Sequence, residues 1–174
     1  KFAKEKGIIL KFARVKDRKL DLEHLKSLLT QKTKVVSICH VSNVLGCENP
    51  VKQIAALKDN ALLVVDGSQA VNHMPVDVKA LNADFYAFSS HKMLGPMGVG
   101  VLYGKKDALE VLEPLVSGGG GIKRVTKENV VFHDVPHRFE AGTPDVAGVI
   151  GLAAAIDYLE RFGMENVKAH VALL

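Results

Sequence analysis

The sequence predicts an α/β fold, a mostly parallel sheet with one antiparallel strand, flanked by helices. Three observations predict it. Two continuous apolar runs, Ala61–Val65 and Phe85–Phe88, lack the polar alternation of a half-exposed strand and suit strands buried on both faces. Strand-like runs alternate with helical ones through the first half of the chain, the pattern of βα units. The run Gly98–Gly104 follows the Phe85 run too closely for a parallel crossover, which takes about a dozen residues or more, so its strand should run antiparallel to its predecessor.

In chain order, Lys1 to Gly7 reads as the end of a helix closed by glycine, and Ile8–Phe12 as a strand. Asp21 suits the cap of a helix in which Leu22, Leu25 and Leu29 share a face. Lys34 to Val41 forms the next strand and delivers His40, Ser42 and Asn43 at its end. Pro50 opens a helix to about Asp59, because the N–H it lacks would be unpaired in a first turn anyway. The Ala61 strand follows, then a short segment with Pro75 and Val76-Asp77-Val78, then the Phe85 strand. Gly98–Gly104 is a short strand with glycines where backbone or ligand approaches closely. Lys105 to Leu112 is helical. Ser117 to Gly121 reads as a mobile loop, since a phosphate cradle would need a strand before it and a helix after it. Thr143 as N-cap and Pro144 at the first position start a helix carried to Phe162 by Val149, Leu152, Ala153, Ile156 and Leu159. Gly163 closes it, and another helix begins near Glu165. No internal repeat is visible.

With 174 residues, 48% of them hydrophobic, the chain is expected to fold as one unit with a sizeable core rather than stay disordered. No apolar run approaches the roughly 18 residues of a membrane helix, so no membrane partner is expected. No apolar segment follows the first lysines, so no secretory leader is expected, and the missing initiator Met suggests a fragment. Cys39 and Cys47 give no disulfide framework and suit a reducing, cytoplasmic compartment. The net charge of +4 includes a basic cluster from Lys1 to Lys19. Such a cluster could attract nucleic acid, but it carries no interleaved aromatics, so it reads as a solvated edge and no nucleic-acid partner is expected.

The chemistry concentrates at two strand ends. Lys92 stands just past the Phe85 strand in Ser89-Ser90-His91-Lys92, beside hydroxyls and an imidazole and ahead of a Gly-Pro turn. Alone it could be a surface lysine. Asp66 ends the Ala61 strand, where open α/β sheets bind ligands, and alone it could be a turn former. Together they match the two ends of pyridoxal phosphate (PLP). A neutral amine must condense with the aldehyde, and an anion must keep the pyridine nitrogen protonated.

Val65-Asp66-Gly67-Ser68-Gln69-Ala70 and Asp84-Phe85-Tyr86-Ala87-Phe88-Ser89-Ser90-His91-Lys92 resemble the core of class V aminotransferase-type PLP enzymes. With His40-Val41-Ser42-Asn43-Val44-Leu45-Gly46 and Arg138-Phe139-Glu140-Ala141-Gly142-Thr143-Pro144, they are similar more narrowly to group II, SUF-type cysteine desulfurases. The resemblance covers essentially the whole chain. It implies a PLP-dependent transferase-like (fold type I) large domain, with residues 1–174 as its central and C-terminal part. The N-terminal segment and the C-terminal small domain, with the sulfur-accepting cysteine, would lie outside. It implies Lys92 as the catalytic lysine that condenses with PLP and Asp66 as the partner of the pyridine nitrogen. Gln69 would meet the phenolic oxygen, Ser89 and His91 the phosphate. Asn43 would lie near the ring and the substrate carboxylate, and Thr143 would reach the phosphate in the neighbouring subunit of a homodimer. The implied reaction turns L-cysteine into L-alanine with an enzyme persulfide, feeding a sulfur-acceptor protein for iron–sulfur cluster assembly. The fragment alone is expected to be inactive. Cys47 lies in the wrong segment to accept sulfur, and Cys39 reads as inert. Selenocysteine lyase, or another class V enzyme, shares the same motifs. A non-catalytic folded or dimerising core is the alternative from a different class.

Overall fold

The computed structural model describes residues 2–174. Helix α1 (Phe2–Glu5) leads to a hairpin of β1 (Val15–Lys16) and β2 (Lys19–Leu20), then α2 (Leu22–Leu28), β3 (Val35–Cys39) and α3 (Val51–Leu57). Next come β4 (Leu62–Asp66), α4 (Val78–Leu81), β5 (Phe85–Ser89), a 3-10 turn (Ser90–Met93), β6 (Gly100–Gly104) and α5 (Lys106–Glu110). A second hairpin, β7 (Ile122–Val125) with β8 (Val130–Phe132), and a 3-10 turn (His137–Phe139) precede α6 (Val146–Phe162) and α7 (Met164–Val171).

The main sheet has the order β3-β4-β5-β6. The first two pairings are parallel, and β6 runs antiparallel to β5 with Ser89 opposite Gly100. This is the mixed sheet expected from the short Phe85-to-Gly98 connection. One face, carrying Leu63, Val65 and Tyr86, is sealed by Leu25 of α2 and by Val51, Ile54 and Ala55 of α3. The other face is less covered than two continuous apolar runs implied: Leu62 and Val64 are only half-buried. A second cluster joins Met93 of the 3-10 turn to Leu152 and Leu159 of α6, so α6 braces the turn that carries Lys92.

At the end of the sheet where the parallel strands begin, Asp84 is held by Lys58 Nζ at 2.7 Å and Lys105 Nζ at 2.8 Å. It also accepts the Leu63 N–H at 2.8 Å. This clamp ties α3, β4, β5 and the end of β6 together from the side opposite Lys92.

Three local expectations change, and one hairpin had no counterpart in the sequence reading. Ile8–Phe12 pairs with no strand among the described residues, and Ile9 and Phe12 are more than 80% exposed. β-branched and aromatic residues favour a strand only where a ladder partner is offered. The β1–β2 hairpin was hidden because its turn residues, Asp17 and Arg18, adopt positive φ without a glycine to announce it. The cap of α6 is Asp145, not Thr143; Asp145 Oδ1 accepts the Gly148 N–H at 2.9 Å, three residues on, while Thr143 and Pro144 lie outside the helix. The glycine run has partners of its own: Gly119 O accepts from Gly142 N at 2.7 Å and Gly121 O from His133 N at 3.0 Å. A Cβ at Gly120 or Gly121 would sit 3.0 Å from the Glu140 or Arg138 carbonyl, so at these two positions another backbone lies close enough to favour glycine. Asp21 caps α2 as expected, accepting from His24 N at 2.8 Å.

Candidate functional site

The three parallel strands end at one edge of the sheet. Asp66 is the last residue of β4 and lies in register between Cys39 of β3 and Ala87 of β5. Ser89 is the last residue of β5, and the following 3-10 turn presents His91 and Lys92. The carboxylate and the amine therefore leave adjacent strands at the carboxyl edge, where α/β sheets hold their ligands. One hydrogen bond links the two segments directly: Asn72 Nδ2, in the turns after Asp66, donates to Lys92 O at 2.6 Å.

Asp66 is exposed, and its Oδ1 accepts the Ser68 N–H at 2.9 Å. This local bond is the turn-forming role open to any aspartate at such a place, and it also fixes the carboxylate's orientation. The backbone beneath is fixed as well. His40 N donates to Asp66 O at 2.7 Å, and Gly67 N to Ala87 O at 2.8 Å. A Cβ on Gly67 would collide with the Tyr86 ring, so glycine is required there for close approach.

Tyr86 in turn meets a buried histidine, with its hydroxyl 2.9 Å from His40 Nδ1. Burial pushes the His40 pKa down from its ordinary 6.5, aided by Lys168 and opposed by Glu48, so the ring is neutral. His40 Nε2 lies 3.9 Å from the Glu48 carboxylate, which favours the proton on Nε2. Nδ1 is then the acceptor and Tyr86 the donor. Burial, and then the charge of Asp66, hold the Tyr86 hydroxyl far above its ordinary range, so it stays protonated. The sequence marked His40 as a strand-end residue and as part of the His40–Gly46 motif, with no role assigned to it. Its pairing with Tyr86, 46 positions away, had no signal there.

Of the other residues singled out by sequence, Gln69, Ser89 and Lys92 are half-buried at this edge and His91 is exposed. Asn43 is exposed in the turn after β3, closed by Gly46 N donating to Ser42 O at 3.0 Å. Thr143 is exposed ahead of α6, and no hydrogen bond among the described residues joins it to Lys92 or Asp66. Cys39 lies in β3 with its thiol pKa pushed up by burial, consistent with an inert side chain. Asn72 and Ser90 were not singled out; both carry a buried oxygen, Asn72 Oδ1 and Ser90 Oγ, with no partner. No cluster of potential metal ligands occurs among the described residues.

The donor set fits PLP. An amine for an aldehyde, a carboxylate for a pyridinium, an amide for a phenolic oxygen, and a hydroxyl and an imidazole for a phosphate all issue from one sheet edge. The exposed Asp66 retains Oδ2, which bonds to none of the described residues.

The chain is similar to known proteins over most of its length. A cysteine desulfurase of Haloferax volcanii is 50% identical over 175 residues, covering 99% of this chain and 41% of that protein. A cysteine desulfurase of Dickeya dadantii is 46% identical, covering 99% of this chain and 43% of that protein. Among solved structures, an apo cysteine desulfurase from Thermococcus onnurineus NA1 superposes with a TM-score of 0.88 at 41% identity, covering 94% of this chain and 42% of that one. One from Escherichia coli gives 0.79 at 38% identity, covering 84% and 37%. The chain thus spans about two fifths of the length of the relatives it matches. The α/β fold is that of these desulfurase structures, and the aminotransferase class-V family model matches residues 1–174: the chain belongs to that family.

Proposed function

We propose that this chain is the central and C-terminal part of the PLP-binding large domain of a group II, SUF-type cysteine desulfurase. The enzyme converts L-cysteine to L-alanine and passes the sulfur, held as a persulfide on a cysteine outside these residues, to an acceptor protein for iron–sulfur cluster assembly. The observation that carries this is Asp66 and Lys92 on adjacent strand ends, their segments joined through Asn72. Relatives named cysteine desulfurase at about half identity support the choice within the family.

PLP, when bound, supplies an aldehyde for the substrate amine and an electron sink for the charge left at Cα. Lys92 Nζ would hold the aldehyde carbon, then accept and return the Cα proton of L-cysteine. Asp66 would accept the ring N–H and keep that proton in place. Gln69 would donate to the phenolic oxygen, and Ser89 and His91 to the phosphate. Asn43 would lie beside the ring and the substrate carboxylate. Thr143 would reach the phosphate site of a second copy in a homodimer. The free Cys39 and Cys47 support a reducing, cytoplasmic setting. No helix among the described residues is long and apolar enough to cross a membrane. Asp66 lies open to solvent, so these 174 residues alone would leave the cofactor poorly enclosed and inactive.

The test uses the full-length protein with PLP and L-cysteine, measuring alanine and sulfide. Lys92→Ala is expected to abolish both turnover and the borohydride-reducible linkage to PLP. A linkage that survives in Lys92→Ala overturns the assignment. Turnover of L-selenocysteine with none of L-cysteine would place the enzyme among selenocysteine lyases instead.

A further inference from the structure

The 3-10 turn that carries Lys92 is only four residues long, Ser90–Met93, and has few bonds of its own. Leu94 N and Gly95 N both donate to Ser90 O, Gly95 at 3.1 Å, and Leu94 adopts φ +68°. One side of the turn is seated by Met93 against Leu152 and Leu159. The carbonyl of Lys92 itself has no partner within the turn, as expected for the last carbonyls of a helical segment. Its partner is the side chain of Asn72, at 2.6 Å.

Asn72 sits on a well-fixed base. Ala70 N and Val71 N donate to Gly67 O, and His73 N and Met74 N donate to Ala70 O. That base continues directly from Asp66. The other end of the Asn72 amide, Oδ1, is buried without a partner. A buried orphan oxygen is costly, and an apolar side chain of the same size would fill the space without that cost. Packing alone therefore does not explain an asparagine here; the bond to Lys92 O does.

We propose that Asn72 is a positioning residue for Lys92. Its amide fixes the rotation of the 3-10 turn relative to the Asp66 segment, and so sets where the amine stands with respect to the carboxylate. The inference rests on the function proposed above for its consequence, but not for the tether itself. Met93, the Ser90 N–H donating to Val99 O at 3.0 Å, and Asn72 hold the turn: loss of Asn72 leaves the first two and frees the Lys92 carbonyl to rotate about them.

Two variants of the full-length protein test it. Asn72→Leu fills the site and removes the tether together with the orphan oxygen; Asn72→Asp keeps the shape but sets a carboxylate against the Lys92 carbonyl. In the PLP-free protein, hydrogen exchange at the Leu94 and Gly95 amides is expected to quicken in both, with the melting temperature of Asn72→Leu nearly unchanged. With PLP added, the Kd for the cofactor is expected to rise about tenfold. The pH midpoint of the lysine-linked absorbance band should also move. Unchanged exchange at Leu94 and Gly95, or an unchanged Kd and midpoint, overturns the proposal. If the parent protein formed no lysine-linked band at all, the proposed function would fail, while the exchange measurement would still decide whether Asn72 holds the turn.

Discussion

Asp66 is held in place by groups that do no chemistry themselves. Its Oδ1 is taken by the Ser68 N–H, its carbonyl by the His40 N–H, and the next residue lies flat on Tyr86. Asp66→Asn keeps the shape and the Ser68 bond but removes the charge that favours a protonated ring nitrogen. Activity of the full-length protein is expected to fall by about tenfold or more, ~1.4 kcal/mol of transition-state stabilisation, with the fold intact by circular dichroism. A variant within a few-fold of the parent would show that the charge is not needed. Gly67→Ala is the complementary case. The added methyl meets the ring of Tyr86, which is 1% exposed and hydrogen-bonded to His40, so it has nowhere to go. A loss of about 3 kcal/mol in urea denaturation is expected, and an alanine variant as stable as the parent would mean Tyr86 can shift.

Helix α6 is the longest element, and its start separates two jobs that the sequence reading assigned to Thr143 alone. Asp145 caps the helix, so Asp145→Ala should cost about 1 kcal/mol through loss of the bond to Gly148 N. Thr143 makes no cap bond and is exposed, so Thr143→Ala should leave stability unchanged. Denaturation midpoints of the two variants check this, and the reverse order would return the cap to Thr143. The result bears on the site, because α6 supports the Lys92 turn through Leu152, Leu159 and Met93. Freed from capping, Thr143 is available for the phosphate contact proposed across a dimer.

Across the molecule, the sheet is held at both ends: by the strand-end turns at the candidate site, and by Asp84 at the opposite end. Burial would push the Asp84 carboxyl up, but hydrogen bonds from Lys105, Lys58 and the Leu63 N–H outweigh it and hold the pKa below its ordinary 3.8. A carboxyl whose folded pKa is depressed stabilises the fold above its unfolded pKa and loses that contribution as pH falls through the folded value. Stability is therefore expected to drop as pH falls below about 3.8, and this acid limb should flatten in Asp84→Asn. Asp84→Ala leaves Lys58, 13% exposed, without its carboxylate partner and should cost about 3 kcal/mol near neutral pH. An acid limb identical in parent and Asp84→Asn would assign the sensitivity to other groups.

The sequence was sufficient for what depends on neighbours along the chain. Apolar runs marked β4 and β5 because strands in a covered sheet need apolar side chains at successive positions, and the short link to Gly98 dictated the antiparallel β6. The motifs after those strands placed Asp66, Gln69, Ser89, His91 and Lys92 at one edge, since parallel strands share a carboxyl end. What depended on distant partners was not legible. Ile8–Phe12 has strand-like residues but no ladder to join, and the turn of β1–β2 has positive φ without glycine. The sequence reading capped α6 with Thr143, whereas the cap is set by which oxygen lies near the Gly148 amide, and that oxygen belongs to Asp145. The His40–Tyr86 pair, the Asn72 bond to Lys92 and the Lys58–Asp84–Lys105 clamp each join residues 20 or more positions apart. A hydrogen bond needs its two atoms within about 3.5 Å, and no pattern of residue types encodes that approach until the sheet has brought the strands together.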